Sequence, residues 1–516
     1  MKLKANQIRI GMVLSYANLI IGNLIPLFYT PIMLELLGQS EYGLYKIAAS
    51  TTAYLTIMNF GLGSAVSRFL IKANVEGGQD SEEKTLGLFD VIFKIISVAT
   101  LVVGGIIVFV LPLFYSDSLS DDELVRMQII VVLMVVNTAV NFSATAYNSV
   151  VSAHERFVFI QLVNVLLTVA LPIFNIVALY LGYGSLGMAS MSLILTIASR
   201  IIYVLYVRYN MNIKPRYKSM PTNILKDVFS FSFWIFVSTI VSQIYTSTDT
   251  VIIGMIPKLA TIGAAVYSIG YTFPSMVFSA AQIVPGFFTP RVTKMVFNGA
   301  DDKSLTDMVI RVGRLQAYVV SLITFGFISF GRPFIQWYVG SGYEEAYWVA
   351  VIIMIPNCIP LVQSVAHSIL QAKNMHRFRS ITYLFIAIAN IIGTILLVGK
   401  FGIIGAAIPT GISYIIGQGL IMNWYYWKKV KLDIPRFWKS IFPCFLIPAV
   451  MSVITLILYK FIDFYNFAHM IAGIMIFALV YAVVMWCLVL NKEEKGLILN
   501  KFANTKIVSK MINNNK

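Results

Sequence analysis

Residues 95–112 read IISVATLVVGGIIVFVLP, eighteen residues without a charged side chain. A helix that crosses the hydrocarbon core of a bilayer needs about 20 predominantly apolar residues, and this stretch has that character. The rest of the chain is similar, because 58% of its 516 residues are hydrophobic, 12% are charged and the mean hydropathy is +0.80. In soluble domains roughly a quarter of the residues are charged. The sequence therefore predicts a chain embedded in a membrane.

Apolar runs of this length follow one another along the chain, and we count fourteen. Two of them begin with the capping-box pattern S-x-x-E, at Ser120–Glu123 and at Ser341–Glu344. The predicted fold class is an all-α integral membrane protein with about 14 transmembrane helices. Their approximate cores are residues 8–33, 41–66, 87–112, 123–147, 155–181, 184–207, 224–253, 262–289, 305–330, 344–370, 378–399, 402–427, 438–460 and 466–490.

Positive charge is distributed unequally between the two sides of this arrangement. The termini and every second loop carry 31 of the 39 lysines and arginines, whereas the opposite loops hold only Lys258, Arg332, Lys400 and Lys460. Cytoplasmic loops retain positive charge, so both termini are predicted to be cytoplasmic, and an even number of spans likewise places both termini on one side. Membrane topology accounts for the net charge of +16, and no nucleic-acid partner is expected.

Motifs that would indicate chemistry are missing from the sequence. The three cysteines, Cys358, Cys444 and Cys487, lie in apolar runs without a CxxC pattern, and the four histidines have no metal-ligand spacing. No G-x-x-x-x-G-K-[ST] sequence indicates ATP hydrolysis. We expect no metal site, no cofactor and no enzyme activity, and a proton or sodium gradient as the energy source.

An internal repeat relates the two halves of the chain. Ser149–Ala153 resembles Ser368–Ala372, 219 residues later, and Gly63 with Arg68 corresponds to Gly286 with Arg291. Six spans separate each pair, so the halves are predicted to be related by a pseudo-two-fold axis along the membrane normal, as in some transporters. The expected divisions are two six-helix bundles, then helices 13 and 14, then a basic cytoplasmic tail: residues 1–211, 212–428, 429–490 and 491–516.

Several motifs carry a resemblance to a known family. They are LGQSEYGLY at 37–45, NFGLGSAVSR at 59–68, TSTD at 246–249, SILQA at 368–372 and GIIGAA at 402–407. In this order the sequence resembles the polysaccharide-export flippase family, which handles O-antigen or capsule repeat units. That family belongs to the multidrug, oligosaccharidyl-lipid and polysaccharide exporter superfamily. The resemblance spans essentially the whole chain.

The resemblance implies a function and a location. Such proteins move undecaprenyl-diphosphate-linked oligosaccharides from the inner to the outer leaflet of the bacterial cytoplasmic (inner) membrane, for surface polysaccharide synthesis. Membrane lipids and polysaccharide assembly enzymes are further expected partners. In the similar lipid II flippases the two extra helices form a groove for the lipid tail, which residues 429–490 are expected to provide. Asn18 and Asn23 replace basic residues of those proteins, which argues against lipid II as cargo.

Cations are the expected ligands for the diphosphate of such a cargo. The candidates are Arg68, Arg291, Lys46, Arg311 and Arg314. Arg68 and Arg291 are equivalent in the repeat, and Arg311 and Arg314 share one helix face. The alternative is that these cations anchor helix ends by extending to the membrane interface.

Two acids within predicted spans are candidates for ion coupling. Asp249 lies among Thr246, Ser247, Thr248 and Thr250, and it either binds a coupling cation or braces the helices. Asp90 lies four residues before Lys94, and an ion pair between these two is the alternative to a role in coupling.

Three other functions are alternatives. A cation-coupled multidrug exporter of the same superfamily would share the architecture but usually has twelve helices. A membrane-embedded polysaccharide polymerase would need a large outer loop with catalytic residues, whereas the longest predicted outer loops have about a dozen residues. A non-transporting scaffold for polysaccharide assembly enzymes would have no recognisable sequence motif.

Overall fold

Every regular element in the described part of the chain, residues 2–496 of a computed structural model, is helical. The all-α prediction is therefore confirmed. The α-helices are α1 (Lys2–Ala53), α2 (Leu62–Tyr115), α3 (Asp121–Ser143), α4 (Thr145–Ala153), α5 (Phe157–Tyr180), α6 (Gly184–Leu205), α7 (Leu225–Gly254), α8 (Ala260–Ala281), α9 (Ile283–Phe297), α10 (Asp302–Val339), α11 (Glu344–Val362), α12 (Ser364–Ala372), α13 (His376–Tyr414), α14 (Asn423–Lys428), α15 (Ile434–Leu458) and α16 (Phe467–Val484).

Eleven helical stretches among the described residues are long and apolar enough to cross a membrane. The stretch 13–59 covers most of the first two predicted spans, and 377–428 contains the eleventh and twelfth. The eighth predicted span falls on α8 and α9, which are not among the eleven. The count of fourteen therefore stays a prediction.

Glycines interrupt the longest helices. A straight helix of 52 residues would be about 78 Å long, far more than the roughly 30 Å of a bilayer core. Gly38 breaks α1 with φ 76° and ψ 168°, and Gly402 breaks α13 with φ 61° and ψ −141°. Only glycine adopts such positive φ values without steric cost. These two residues divide helices that the sequence predicts as separate spans.

The second predicted span, 41–66, does not form one continuous helix. After α1 the chain forms a 3₁₀ turn over Tyr54–Asn59, and then Phe60 and Gly61 adopt left-handed conformations with φ 49° and 69°. A Cβ atom on Gly61 would lie 2.8 Å from the carbonyl oxygen of Ser232, so α7 leaves no room for a side chain here. Because residues 41–66 are mostly hydrophobic, hydropathy did not indicate this break in the helix.

Only one of the two predicted capping boxes forms. The Ser120 hydroxyl accepts from the Glu123 N–H, and the Glu123 carboxylate accepts from the Ser120 N–H, which completes the box at the start of α3. At the second position the prediction was wrong. Tyr343 precedes α11, and the Glu344 carboxylate accepts from the N–H of Gly342 instead of that of Ser341.

The described helices form two compact units. Unit 1 consists of Met1–Ser279, Trp348–Ile353 and His376–Ser413. Within it α1 packs against α5 and α7, α2 packs against α3 and α4, and α6 packs against α3 and α5. Its core includes Phe89 and Phe93, which are fully buried. The division predicted from the repeat, at 211/212 and 428/429, stays a prediction.

Unit 2 consists of Ala280–Tyr347, Met354–Met375 and Tyr414–Lys516, of which residues up to 496 are described. Its central helix is α10, which packs against α9, α15 and α16, while α9 also packs against α12. Phe330 of α10 makes edge-to-face contacts with Phe464 and Phe477, with ring centroids 5.3 and 6.0 Å away. The predicted basic tail lies largely outside the described residues.

The LGQSEYGLY motif at 37–45 has a structural explanation. The Ser40 hydroxyl donates to Glu123 and lies 2.8 Å from the Thr261 hydroxyl, and Glu41 pairs with Arg126 at 3.1 Å. A Cβ atom on Gly43 would lie 1.8 Å from the carbonyl oxygen of Thr261. The motif therefore fixes the close approach of α1 and α8.

We expect Gly43→Ala to destabilise the protein by about 1–3 kcal/mol or more, because the added methyl group would push α8 away from α1. The matched control is Gly105→Ala, since no described heavy atom beyond its chain neighbours and its own helix backbone lies within 4 Å of a Cβ atom at Gly105. That change should be neutral or stabilise α2 by roughly 0.5–1 kcal/mol. Thermal unfolding of both variants in detergent checks the prediction, and equal midpoints would contradict it.

Candidate functional site

A cavity of about 540 Å³ in unit 2 collects charged side chains from α9, α10, α15 and the segment 491–496. We call it the arginine cavity. Ligand pockets in proteins commonly have volumes of about 300–1,000 Å³, so a diphosphate group is small enough for it. Its charged lining residues are Arg291, Arg311, Arg314, Arg436, Asp307, Glu493 and Glu494.

Three of the five cations predicted to bind cargo therefore lie around one cavity. Arg291 lies on α9, and Arg311 and Arg314 lie on α10. Arg291 and Arg311 are exposed, and neither forms an ion pair among the described residues. These two guanidinium groups are available to a phosphate.

Arg314 is engaged by the protein itself. Its Nε and Nη2 atoms donate to the two carboxylate oxygens of Glu494 at 2.7 and 2.9 Å. Nη1 donates to the carbonyl oxygen of Ser440, and Nη2 also lies within hydrogen-bond distance of the Val489 carbonyl oxygen and the Tyr318 hydroxyl. Arg314 and Glu494 are buried, at 8% and 5% exposed. Although Arg311 and Arg314 share a helix, they have different environments.

Arg436 is a cation of the arginine cavity that the sequence analysis counted only as a loop charge. It forms an ion pair with Asp307 at 2.7 Å, and both side chains are about half exposed. Glu494 was also missed, because it lies 180 residues from Arg314 and no local pattern connects the two.

The other two predicted cargo cations, Lys46 and Arg68, belong to unit 1. The Lys46 ammonium lies 5.2 Å from the centre of the Tyr42 ring, one helical turn away on α1. The exposed Arg68 guanidinium lies 5.0 Å from the centre of the Phe231 ring. Both contacts have the geometry of cation–π interactions.

Asp249 lies at the centre of a buried polar cluster in unit 1. Its carboxylate accepts hydrogen bonds from Thr394 at 3.0 Å, from Thr410 at 2.9 Å and from the hydroxyl of Tyr267. The residue is 3% exposed, and none of its described partners is a cation. The cluster joins α7, α8 and α13. Among the described residues, the hydrogen bonds to this carboxylate all come from hydroxyl groups.

Asn390 extends this cluster and contributes an unsatisfied atom. Its amide nitrogen donates to the Thr410 hydroxyl at 3.0 Å, whereas its buried amide oxygen has no hydrogen-bond partner among the described residues. Buried polar atoms without partners are rare in proteins and call for an explanation. Carboxylate, hydroxyl and amide oxygens are the donor types that hard cations prefer.

Asp90 is paired, as the i, i+4 spacing predicted. Its carboxylate is 2.7 Å from the Lys94 ammonium and accepts a hydrogen bond from the Tyr217 hydroxyl at 2.8 Å. Partial burial, together with the hydrogen bond to Asp90, raises the pKa of the Tyr217 phenol. These contacts hold the segment before α7 against α2.

Arg200 is another basic residue of a membrane-spanning stretch that the sequence analysis did not select. It lies on α6 and donates from Nη2 to the amide oxygen of Asn141 on α3, while its buried Nε atom has no hydrogen-bond partner in the described part of the chain. Its position within an apolar run, away from other charges in the sequence, was the available signal. No group of three or more His, Cys, Asp or Glu side chains with metal-binding geometry occurs in residues 2–496.

Solved structures share this fold. A lipid II flippase MurJ, in an inward closed conformation, superposes with a TM-score of 0.68 and 16% sequence identity, over 92% of this chain and 98% of that one. An inward-facing multidrug resistance transporter of the MATE family superposes with a TM-score of 0.60 and 13% identity, over 84% of this chain and 99% of that one. At such identities the likeness shows the fold alone.

Sequence comparison gives a curated relative and a family. The chain is 24% identical over 208 residues to a probable low-salt glycan biosynthesis flippase, Agl15, of Haloferax volcanii. This alignment covers 40% of the chain and less than half, 42%, of that relative. The family model described as "Polysaccharide biosynthesis protein" matches residues 11–290, which is more than half of the chain. The chain therefore belongs to the polysaccharide biosynthesis protein family.

Proposed function

We propose that this chain is a flippase that moves undecaprenyl-diphosphate-linked oligosaccharide repeat units across the bacterial cytoplasmic membrane. The units pass from the cytoplasmic to the outer leaflet and supply O-antigen or capsule synthesis. Transport proceeds by alternating access, coupled to a proton or sodium gradient. Both termini lie in the cytoplasm, and two six-helix bundles, residues 1–211 and 212–428, are followed by two further helices.

The arginine cavity is the observation that carries this proposal. The start of α10, the start of α15 and the segment after α16 surround it, and these are regions that the distribution of lysine and arginine assigns to the cytoplasmic side. A lipid-linked diphosphate made in the cytoplasmic leaflet has its charged group at this level. Arg291 and Arg311 offer planar guanidinium groups that match phosphate oxygens.

The last two spanning helices suit the lipid part of the cargo. On α15, large apolar side chains such as Phe442, Leu446 and Val450 are about half exposed. Such surfaces contact hydrocarbon in a membrane protein. A polyprenyl tail would pack against α15 and α16 while its diphosphate lies in the arginine cavity.

The Asp249 cluster is the proposed ion site. A buried carboxylate without a cationic partner gains most from binding a proton or a sodium ion, because either one neutralises its charge. For sodium, Thr394, Thr410 and the unsatisfied oxygen of Asn390 would supply further oxygen ligands. Asp90 is a weaker candidate, since Lys94 already neutralises it.

The second candidate function is a cation-coupled multidrug exporter. The fold likeness to the multidrug transporter favours it. A site for cationic drugs would need acidic or aromatic lining, whereas arginines outnumber carboxylates in the arginine cavity. The family match and the flippase relative also support the lipid-linked glycan.

Transport in a purified system tests the proposal. The protein is reconstituted into liposomes that contain a labelled undecaprenyl-diphosphate oligosaccharide, and a membrane-impermeant glycosidase reports the accessible pool. We expect the protected pool to fall only with protein present, and faster with an imposed proton or sodium gradient. A protected pool equal to that of protein-free liposomes for several glycans, together with movement of a cationic dye, would establish the exporter instead.

A further inference from the structure

Glu494 occupies the place in the arginine cavity that an anionic ligand would take. It follows the last spanning helix, and its carboxylate binds the Arg314 guanidinium through both Nε and Nη2. Carboxylates and phosphates bind arginine in this same two-point geometry. The chain thus supplies its own anion to one of the three cations that we assign to the cargo.

The segment 491–496 holds this carboxylate in position. The Asn491 N–H donates to Glu494 Oε2 at 2.9 Å, and the Glu494 N–H donates to the Asn491 side chain at 2.8 Å. Tyr318 donates to the same oxygen at 2.8 Å. Burial acts to raise the pKa of Glu494, but the bonds from Arg314, Asn491 and Tyr318 outweigh it and leave the pKa below its usual range. Glu494 is therefore ionised at neutral pH.

The other arginines of the arginine cavity differ from Arg314 in their pairing. Arg436 is paired with Asp307, whereas Arg291 and Arg311 form no ion pair among the described residues. A diphosphate attracted to Arg291 and Arg311 brings further negative charge close to Glu494. Like charges in one cavity repel, and a second phosphate competes with Glu494 for Arg314.

We propose that Glu494 is an exchangeable counterion of Arg314, which a bound diphosphate displaces together with the segment 491–496 and which returns to expel the diphosphate. The proposal rests on the assignment of the arginine cavity to the diphosphate. A transporter must bind its cargo well enough to load it and weakly enough to release it. Three unopposed arginines would bind a diphosphate too tightly for turnover, and an internal competitor lowers that affinity.

Calorimetry with inorganic pyrophosphate tests the exchange. The full-length chain is studied at pH 7 in an alkyl maltoside, a detergent without phosphate, as wild type, Glu494→Gln and Glu493→Gln. We expect Glu494→Gln to bind pyrophosphate about tenfold more tightly, equivalent to about 1.4 kcal/mol, because the competing anion is lost. Glu493→Gln removes the same charge from the same cavity without freeing Arg314, so its affinity should rise by no more than about threefold, as for a screened charge.

Hydrogen exchange supplies the second measurement. Saturating pyrophosphate should speed amide exchange in the segment 491–496 of the wild type, because the bonds between Asn491 and Glu494 break on release. Should Glu494→Gln fail to fold with Arg314 unpaired, Glu494→Asp keeps the charge but shortens the side chain. It should give an intermediate gain in affinity.

The outcomes separate this inference from the proposed function. Equal affinity gains in the Glu494 and Glu493 variants, or unchanged exchange in a saturated wild type, would overturn the exchange and leave the arginine cavity as an anion site. Absence of pyrophosphate binding in the wild type and in both variants would overturn the anion site, and the exchange with it.

Discussion

Replacing Arg291 and Arg311 together with glutamine is expected to weaken pyrophosphate binding by roughly 100-fold or more, because each charge-assisted hydrogen bond contributes about 1.5–3 kcal/mol. Both side chains are exposed, and neither has an ion-pair partner among the described residues, so folding should be nearly unaffected. Calorimetry on the purified protein measures the affinity. In liposomes the same variant should lose flipping of the lipid-linked glycan.

The control for this variant is Lys439→Gln. Lys439 is exposed on α15 and precedes Ser440, which lines the arginine cavity, but Lys439 itself does not line it. The change removes a positive charge from the same end of unit 2, and affinity should change by less than about threefold, as for a solvent-screened charge. A double arginine variant that binds pyrophosphate as tightly as the wild type would show that the diphosphate lies elsewhere.

Asp249→Asn is expected to abolish the dependence of transport on the ion gradient while the protein still folds. Asparagine has the same shape and keeps one acceptor for Thr394, Thr410 or Tyr267, so the cost in stability should be about 1–3 kcal/mol. It cannot take up a proton, and it offers a sodium ion no negative charge. Flipping rates with and without the gradient, and the rise in melting temperature that sodium produces, are the measurements.

Asp90→Asn is the matched comparison, because Asp90 is the other buried acid that the sequence selects in unit 1. Its pairing with Lys94 and Tyr217 indicates that its loss should lower stability and leave the gradient dependence intact. If Asp249→Asn keeps its gradient dependence and Asp90→Asn loses it, the coupling role passes to Asp90. If both keep it, neither acid couples transport to the ion.

Features that depend on residues close together in the chain could be predicted from the sequence. The all-helical fold follows from the length of the apolar runs. The pairing of Asp90 with Lys94 and the capping box at Ser120 depend on residues three or four positions apart. The box at Ser341 failed although its pattern was the same, because α11 begins only at Glu344, so Ser341 does not cap it and Glu344 accepts from Gly342.

Contacts between residues far apart in the sequence could not be predicted from it. Thr394 and Thr410 bind Asp249 although they lie 145 and 161 residues away, and no repeating sequence pattern connects them. The sequence placed Arg311 and Arg314 on one face, yet only Arg314 meets Glu494, because α16 returns the chain to α10. The break at Phe60 and Gly61 was not predicted for a related reason, since the carbonyl oxygen of Ser232, which leaves no room for a side chain at Gly61, lies on the distant α7.

Gly38 has a mechanical consequence for α1. A loop of several residues would let the two halves of α1 move independently. A junction of one residue couples the motion of the two helical segments. The relative orientation of the two halves changes through the φ and ψ of Gly38, and no described heavy atom beyond its chain neighbours and its own helix backbone lies within 4 Å of where its Cβ would be. The junction therefore acts as a hinge with two rotation axes. Any tilt of the first helical segment that these two rotations do not accommodate is transmitted to the second segment as torque.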